Sequence, residues 1–340
     1  MHKGLATRWS VTSFSFTPEL LARKFSPAQL IRHIADQGIS ANLEIDGPQF
    51  FRNYPTATAD VAMVAEVSKE VGVHIPMIGG YMDRFSGEMH PVDQEVVLQR
   101  LHRQLEVASQ LGARRLRLQF DALRESEIDQ AIEWAEKFDV RILLELQGSA
   151  TLDQPHIKRV IDWVIGRNHP MLRILLDSSL LMRGFPSTYK QHLSNLGLSP
   201  DLVTTLEQQW LSKAAGDYRE WLVSELDQGH LPKSLMSQMP TLTSRFGHSK
   251  AKDWQMLSNV LDSLHLKYWD SDDSHGALSG VAEEALSLFD TAHFPGYIVS
   301  EWGGHDWLPL EVASGSDMSF QHKAAVASVL TNSQENQPPP

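Results

Sequence analysis

Short apolar runs recur along the chain, each bounded by Gly, Pro or Asp and most followed by a stretch with helical spacing. Runs this short, rich in β-branched and aromatic residues, predict buried strands. The first spans Arg8 to Phe16, alternating Trp9, Val11, Ser13 and Phe14, and the second is Ala41–Ile45. Val73–Ile78, Arg115–Phe120, Val140–Glu145 and Leu172–Asp177 predict the third to sixth, Leu264–Asp270 the seventh, and the run closing on Ser300-Glu301-Trp302-Gly303-Gly304-His305 the eighth. Helices are predicted between them. One starts at Ser26-Pro27, a capping serine followed by proline at the first helical position, and stops at Gly38. Others cover Thr58 to Val71, Val92 to Leu111, Ser126 to Phe138 and Gln154 to Arg167. Strand and helix alternating to a count of eight predict an α/β fold, a single (β/α)8 TIM barrel. A doubly wound open sheet would need a glycine-rich phosphate turn after its first strand, and none is present.

The connection from Arg183 to Asn259 is too long for one helix. It holds a helical run from Pro200 to about Gln228 and a turn-rich part through Pro232, Pro240 and Gly247. Following the sixth strand of a barrel, it belongs on the catalytic face, as a lid, a partner surface or a peripheral decoration. The barrel is thus expected over residues 1–330 with an insertion at 183–259, and the polar, proline-rich residues 331–340 as a disordered tail.

Four of the apolar strands carry one polar residue near their C-terminal ends: Glu145, Asp177, His265 and Glu301. A buried carboxylate is costly unless it is paired or binds a metal. Four such positions on consecutive strands make a divalent-metal site if the strand ends converge.

Composition narrows the chemistry. The chain has 340 residues, 42% hydrophobic and 21% charged, with a formal net charge of −12, which argues against a nucleic-acid partner. There is no cysteine, so disulfides and thiolate ligands are excluded. Carboxylate, imidazole and water favour Mn2+ or Mg2+, with Co2+ or Zn2+ as further options. The N-terminal MHKGLATRWS lacks the apolar core of a signal peptide, and no apolar run approaches a membrane span, so a cytoplasmic protein without a membrane partner is expected.

On these residues, with His265-Leu266-Lys267 and the closing Ser300–His305 segment, the chain resembles the xylose-isomerase-like barrel superfamily from Arg8 to about Leu330. Its members include sugar and sugar-phosphate isomerases and epimerases, inosose dehydratases and the large subunits of C-glycoside deglycosidases. The resemblance implies one divalent ion, Mn2+ first, on Glu145, Asp177, His265 and Glu301, with the two glutamates also moving the substrate proton. Two positions depart from the family pattern: Gln147 and Leu180 stand where histidines are common.

The expected activity is that of a sugar isomerase or epimerase, taking the proton α to a carbonyl through a metal-stabilised enediolate. The alternatives are a C-glycoside deglycosidase large subunit, which eliminates an aromatic aglycone, and a non-catalytic sugar- or metal-binding barrel. Lys267 and His305 join the glutamates as catalytic candidates. Trp9, Glu44, Gln147, Trp269 and Trp302 are the substrate-binding candidates, the tryptophans through stacking. Asp270, Asp272 and Asp273 read as a solvated acidic loop. A homo-oligomer is expected, or a hetero-oligomer with a small subunit in the deglycosidase case.

Overall fold

The computed structural model describes residues 7–51, 56–85, 88–273, 277–289 and 295–332. Eight parallel strands close on one another in chain order: β1 (Trp9–Thr12), β2 (Leu43–Asp46), β3 (Ile78–Gly79), β4 (Arg115–Gln119), β5 (Arg141–Leu146), β6 (Leu172–Asp177), β7 (Leu261–Tyr268) and β8 (Ile298–Trp302). The helices behind them are α1 (Pro27–Asp36), α2 (Thr58–Val71), α3 (Gln94–Gln110), α4 (Ile128–Phe138) and α5 (Pro155–Arg167). The insertion contributes α6 (Ser187–Asn195), α7 (Pro200–Ser212) and α8 (Ala215–Asp227); α9 (Ser279–Leu286) and α10 (Gly315–Asn332) complete the ring. The (β/α)8 TIM barrel expected from the sequence is the observed fold.

The signals behind that reading are visible in detail. Ser26 Oγ accepts from Gln29 N, and Gln29 Oε1 accepts from Ser26 N, a reciprocal cap with Pro27 at the first position of α1. Three predicted boundaries shift. β1 stops at Thr12, because Thr12 Oγ1 accepts from Phe14 N and the chain turns into a 3-10 helix. The serines of that turn bind neighbouring strands: Asp46 N donates to Ser13 Oγ and Trp302 N to Ser15 Oγ. β3 is cut short, because Pro76 offers no N–H to a ladder. The helix α10 runs through Asn332, two residues into the expected tail; residues 333–340 lie outside the described residues.

Inside the barrel, side chains two apart on a strand share a face, which builds layers. Leu143, Leu175, Val299 and Met77 form a buried apolar layer. Two residues further along each strand stand Glu145, Asp177 and Glu301. Below the apolar layer, Asp262 pairs with Arg115 and Arg141 and closes the N-terminal end. A register shift between β6 and β7 accompanies Asp262.

The insertion has its own apolar cluster, including Trp210 and Leu222, with Leu202, Trp221 and Leu226 packed against it. The predicted helical run breaks at Lys213 and Ala214, whose backbones are extended, so that α7 and α8 fold onto one core. Asp270 corrects the reading of a solvated loop: its Oδ2 accepts from Ser187 N at 2.6 Å and Ser187 Oγ at 2.8 Å, at the start of α6. Asp273 likewise accepts from Leu278 N and Ser279 N at the start of α9.

Candidate metal centre

Neighbouring strand ends bring the four predicted ligands together. Asp177 pairs in register with His265, and Lys267 with Glu301. Glu145, Asp177, His265 and Glu301 are all buried, and one ligand atom from each lies within 4.8 Å of the others. His265 is oriented from behind, since its Nε2 lies 2.7 Å from Glu44 Oε2. That leaves Nδ1 facing the cluster, 3.0 Å from Glu145 Oε1 and 2.5 Å from Glu301 Oε2. A carboxylate behind a histidine is the usual way a metal-binding imidazole is held in one tautomer.

Arg117, on β4, is the residue that the sequence reading missed. It is buried; its Nε donates to Glu44 at 2.8 Å and its Nη1 to Glu145 at 2.8 Å, and Nη2 lies 3.7 Å from Asp46. The signal was present in Arg115-Leu116-Arg117-Leu118-Gln119, where the polar residues alternate onto one face. Lys267, two residues after His265 and so on the same face, pairs with Glu301 and lies 4.0 Å from Asp177 Oδ2.

The buried carboxylates Glu44, Asp46, Glu145, Asp177 and Glu301 outnumber the fixed cations Arg117 and Lys267. Burial pushes Glu301 up, but Lys267 and His265 outweigh it and hold the group well below the usual carboxylate range. Glu145 behaves alike: burial raises it, Arg117 and His265 together bring it below normal. Asp177 lacks such help. Burial, only partly offset by Lys267 and reinforced by Glu301 and Glu145, lifts it to about 7. Asp46 rises to about 6 through burial, against Arg117. Burial disfavours the His265 imidazolium, yet Glu44 and Glu301 raise its pKa well above normal. Asp177 Oδ2 is buried without a hydrogen-bond partner among the described residues. An orphaned ligand atom, an excess of carboxylate and an all-oxygen-and-imidazole donor set fit a hard divalent cation.

A cavity of about 640 Å³ opens over this cluster, with Glu145, Glu301, Lys267, Arg117 and Gln147 in its walls and Phe14 beside them. Lys267 Nζ sits 4.8 Å above the Phe14 ring. The insertion covers part of the mouth. Ser149 N donates to Ser244 O and Gly247 N to Ser179 O, which ties the insertion to the exits of β5 and β6.

Several substrate-binding and catalytic candidates are placed elsewhere. Trp9 begins β1 and packs 5.7 Å from the His322 ring of α10, in the shell between strands and helices. Trp302 follows Glu301 and therefore faces out of the barrel, fully buried, its Nε1 donating to Trp269 O. Trp269 packs edge-on to Phe246 in the insertion core and borders a separate cavity of about 360 Å³. Glu44 is consumed by Arg117 and His265 and supports the ligands instead of meeting solvent. His305 is enclosed between Phe14 and Trp302, at 4.7 and 5.5 Å, and burial lowers it to about 4, so it is neutral near pH 7 and does not line the cavity. Leu180 is buried.

No family model matches the chain. In structure it is similar to D-psicose 3-epimerase from Clostridium cellulolyticum H10, with a TM-score of 0.54 and 10% identity, covering 95% of this chain and 99% of the other. A D-allulose 3-epimerase from Methylomonas sp. has a TM-score of 0.51 at 13% identity, covering 95% and 96%. The chain thus shares its (β/α)8 barrel fold with these sugar epimerases. Its sequence is similar to the 3'-dehydrocarminate deglycosidase alpha subunit of Microbacterium sp., 23% identical over 88% of this chain and 89% of that one. It is also similar to a C-glycoside deglycosidase alpha subunit of Arthrobacter globiformis, 21% identical over 93% and 90%. Among the described residues no helix is long and apolar enough to cross a membrane.

Proposed function

We propose that the chain acts on a keto-sugar that carries an aglycone, as the proton-abstracting subunit of a deglycosidase. The observation that supports this most is the pair Glu145 and Glu301: two carboxylates in one buried cluster, both held ionised by fixed cations. Glu145, Asp177, His265 and Glu301 would hold one divalent ion, Mn2+ before Mg2+, Co2+ or Zn2+. Such an ion, when bound, supplies Lewis-acid polarisation of the ketone oxygen. One glutamate takes the proton from the carbon α to the ketone. The released electron pair forms a carbon–carbon double bond as the bond from the next carbon to the aglycone breaks, and the aglycone takes up a proton. Lys267 is the ammonium group available to negative charge developing on the sugar oxygen. Gln147 is a sugar-binding residue, and the insertion acts as a lid that limits water at the reacting carbon.

Elimination is placed ahead of epimerisation, which reverses the order expected from the sequence. Relatives named deglycosidase alpha subunits match along nearly the whole of both chains, whereas likeness to the epimerases is one of fold. The same relatives support assembly with a second subunit. Incubation of the Mn2+-loaded protein with a 3-keto-glycoside in deuterium oxide tests the reading. Exchange at the α carbon with aglycone release is expected. Exchange without release returns the protein to the epimerases, and no exchange makes it a binder.

A further inference from the structure

The insertion brings a charged side chain into the metal-side cavity. Residues Thr241–Arg245 form a π-helical turn, a local geometry that is rare and concentrated at functional sites. The turn is held against the barrel by close backbone contact. A Cβ on Gly148, whose φ is +60°, would overlap the Ser244 carbonyl, and one on Gly247 would overlap the Gly148 carbonyl. Met182 N also donates to Gly247 O at 3.0 Å. Held in this way, Arg245 lines the same cavity as Glu145, Lys267 and Glu301, with Ser149, Gln154 and Ser244 beside it.

The cavity's cations differ in what they have left to give. Arg117 is committed to Glu44, Glu145 and Asp46, and Lys267 stands among the candidate metal ligands, against Glu301 and Asp177. Arg245 has one ionic partner among the described residues, Asp306, with Nη2 3.1 Å from its Oδ2. A guanidinium carries five N–H donors in a fork that suits two oxygens of one anion. Donors therefore remain on Arg245 for a bound molecule. Candidate metal ligands and a partly committed guanidinium thus share one cavity, the guanidinium coming from the insertion.

We infer that Arg245 is a specificity residue that binds an oxyanion, a carboxylate or a phosphate, on the part of the substrate that reaches the insertion. This rests on the keto-glycoside reading for the identity of the remainder of the substrate. Calorimetric titration of the full-length, Mn2+-loaded protein with 4-hydroxybenzoate, phenyl phosphate and phenol tests it and separates the two anions. Wild type is expected to bind one of the anions about tenfold or more tightly than phenol, as one charge-assisted hydrogen-bond pair would give. Arg245→Met should reduce that preference about tenfold. Asp306→Asn should keep it, because it leaves the guanidinium in place and removes only its partner. Any direct binding of the anion to the metal is common to all three proteins and cancels in the comparison. An equal affinity of wild type for phenol and both anions, or an anion preference that Arg245→Met leaves undiminished, overturns the inference. α-Carbon exchange of an aglycone-free keto-sugar on the same wild-type preparation tells the failures apart. Exchange with no Arg245-dependent binding removes the oxyanion assignment alone, and no exchange removes the reaction while the binding result stands.

Discussion

Arg117 Nη1 donates to Glu145 Oε2 at 2.8 Å, with both side chains buried and Glu44 on the other edge of the same guanidinium. One cation thus fixes a candidate metal-ligand carboxylate and the carboxylate that orients the candidate metal-ligand histidine.

Truncating Arg117 leaves Glu44 and Glu145 with His265 as their shared cationic partner. Breaking a buried pair in this way costs about 3–5 kcal/mol. Arg117→Met is expected to lower the urea midpoint strongly in metal-free protein. Saturating Mn2+ should restore much of the loss, because the added cation replaces the missing charge. An unchanged midpoint without metal would show that the pair contributes nothing.

Glu44 is predicted to act through His265. Glu44→Gln should keep the fold and weaken Mn2+ binding by about 10–100-fold, the usual effect of a lost outer partner. Glu145→Gln, which removes a ligand itself, should lower metal content further. Elemental analysis after dialysis against graded Mn2+ gives the comparison, and equal content in Glu44→Gln and wild type would remove that role.

Metal binding should be linked to protons. Without metal, Asp177 has a pKa of about 7, raised by burial, and His265 is protonated because Glu44 and Glu301 outweigh its burial. A metal needs the carboxylate and the neutral imidazole, so affinity must fall as pH falls through 7, and binding must release protons. Calorimetry in buffers of different ionisation enthalpy reads the released protons directly. A buffer-independent enthalpy at pH 6.5 would contradict the linkage.

The His322 ring lies flat on Tyr268 at 3.8 Å, with Nδ1 2.8 Å from Ser300 Oγ, and burial lowers its pKa from 6.5 to about 3. The folded state then binds fewer protons than the unfolded one. This contribution is therefore complete above pH 6.5 and is lost as pH falls from 6.5 towards 3. Between pH 6.5 and 5 the loss is about 2 kcal/mol, at about 1.4 kcal/mol per pH unit. His322→Gln should flatten that part of the stability–pH curve, whatever its effect at pH 7. A slope identical to wild type would mean that His322 does not set it.

Much of this protein was fixed by local sequence. Short apolar runs, a capping serine and proline at Ser26-Pro27 and glycine stops give the strand–helix alternation, and eight repeats leave few closures other than a barrel. The four metal-ligand candidates were legible because a charge in an apolar strand has few affordable explanations. The tryptophans were not. Trp9 and Trp302 carry the same composition signal as a stacking platform, but strand parity and the packing of α10 turn them away from the cavity. Arg117 is the converse case. In sequence it is one of several arginines, and its role arises only when the barrel sets β4 between β3 and β5, with β2 one strand beyond, so that the guanidinium reaches Glu44 and Glu145 at once. Periodicity assigns each residue to a face of its own strand. Which charges meet across the barrel, and how far burial and neighbouring charge shift each proton, depends on distances between residues far apart in the chain, which only the tertiary structure decides.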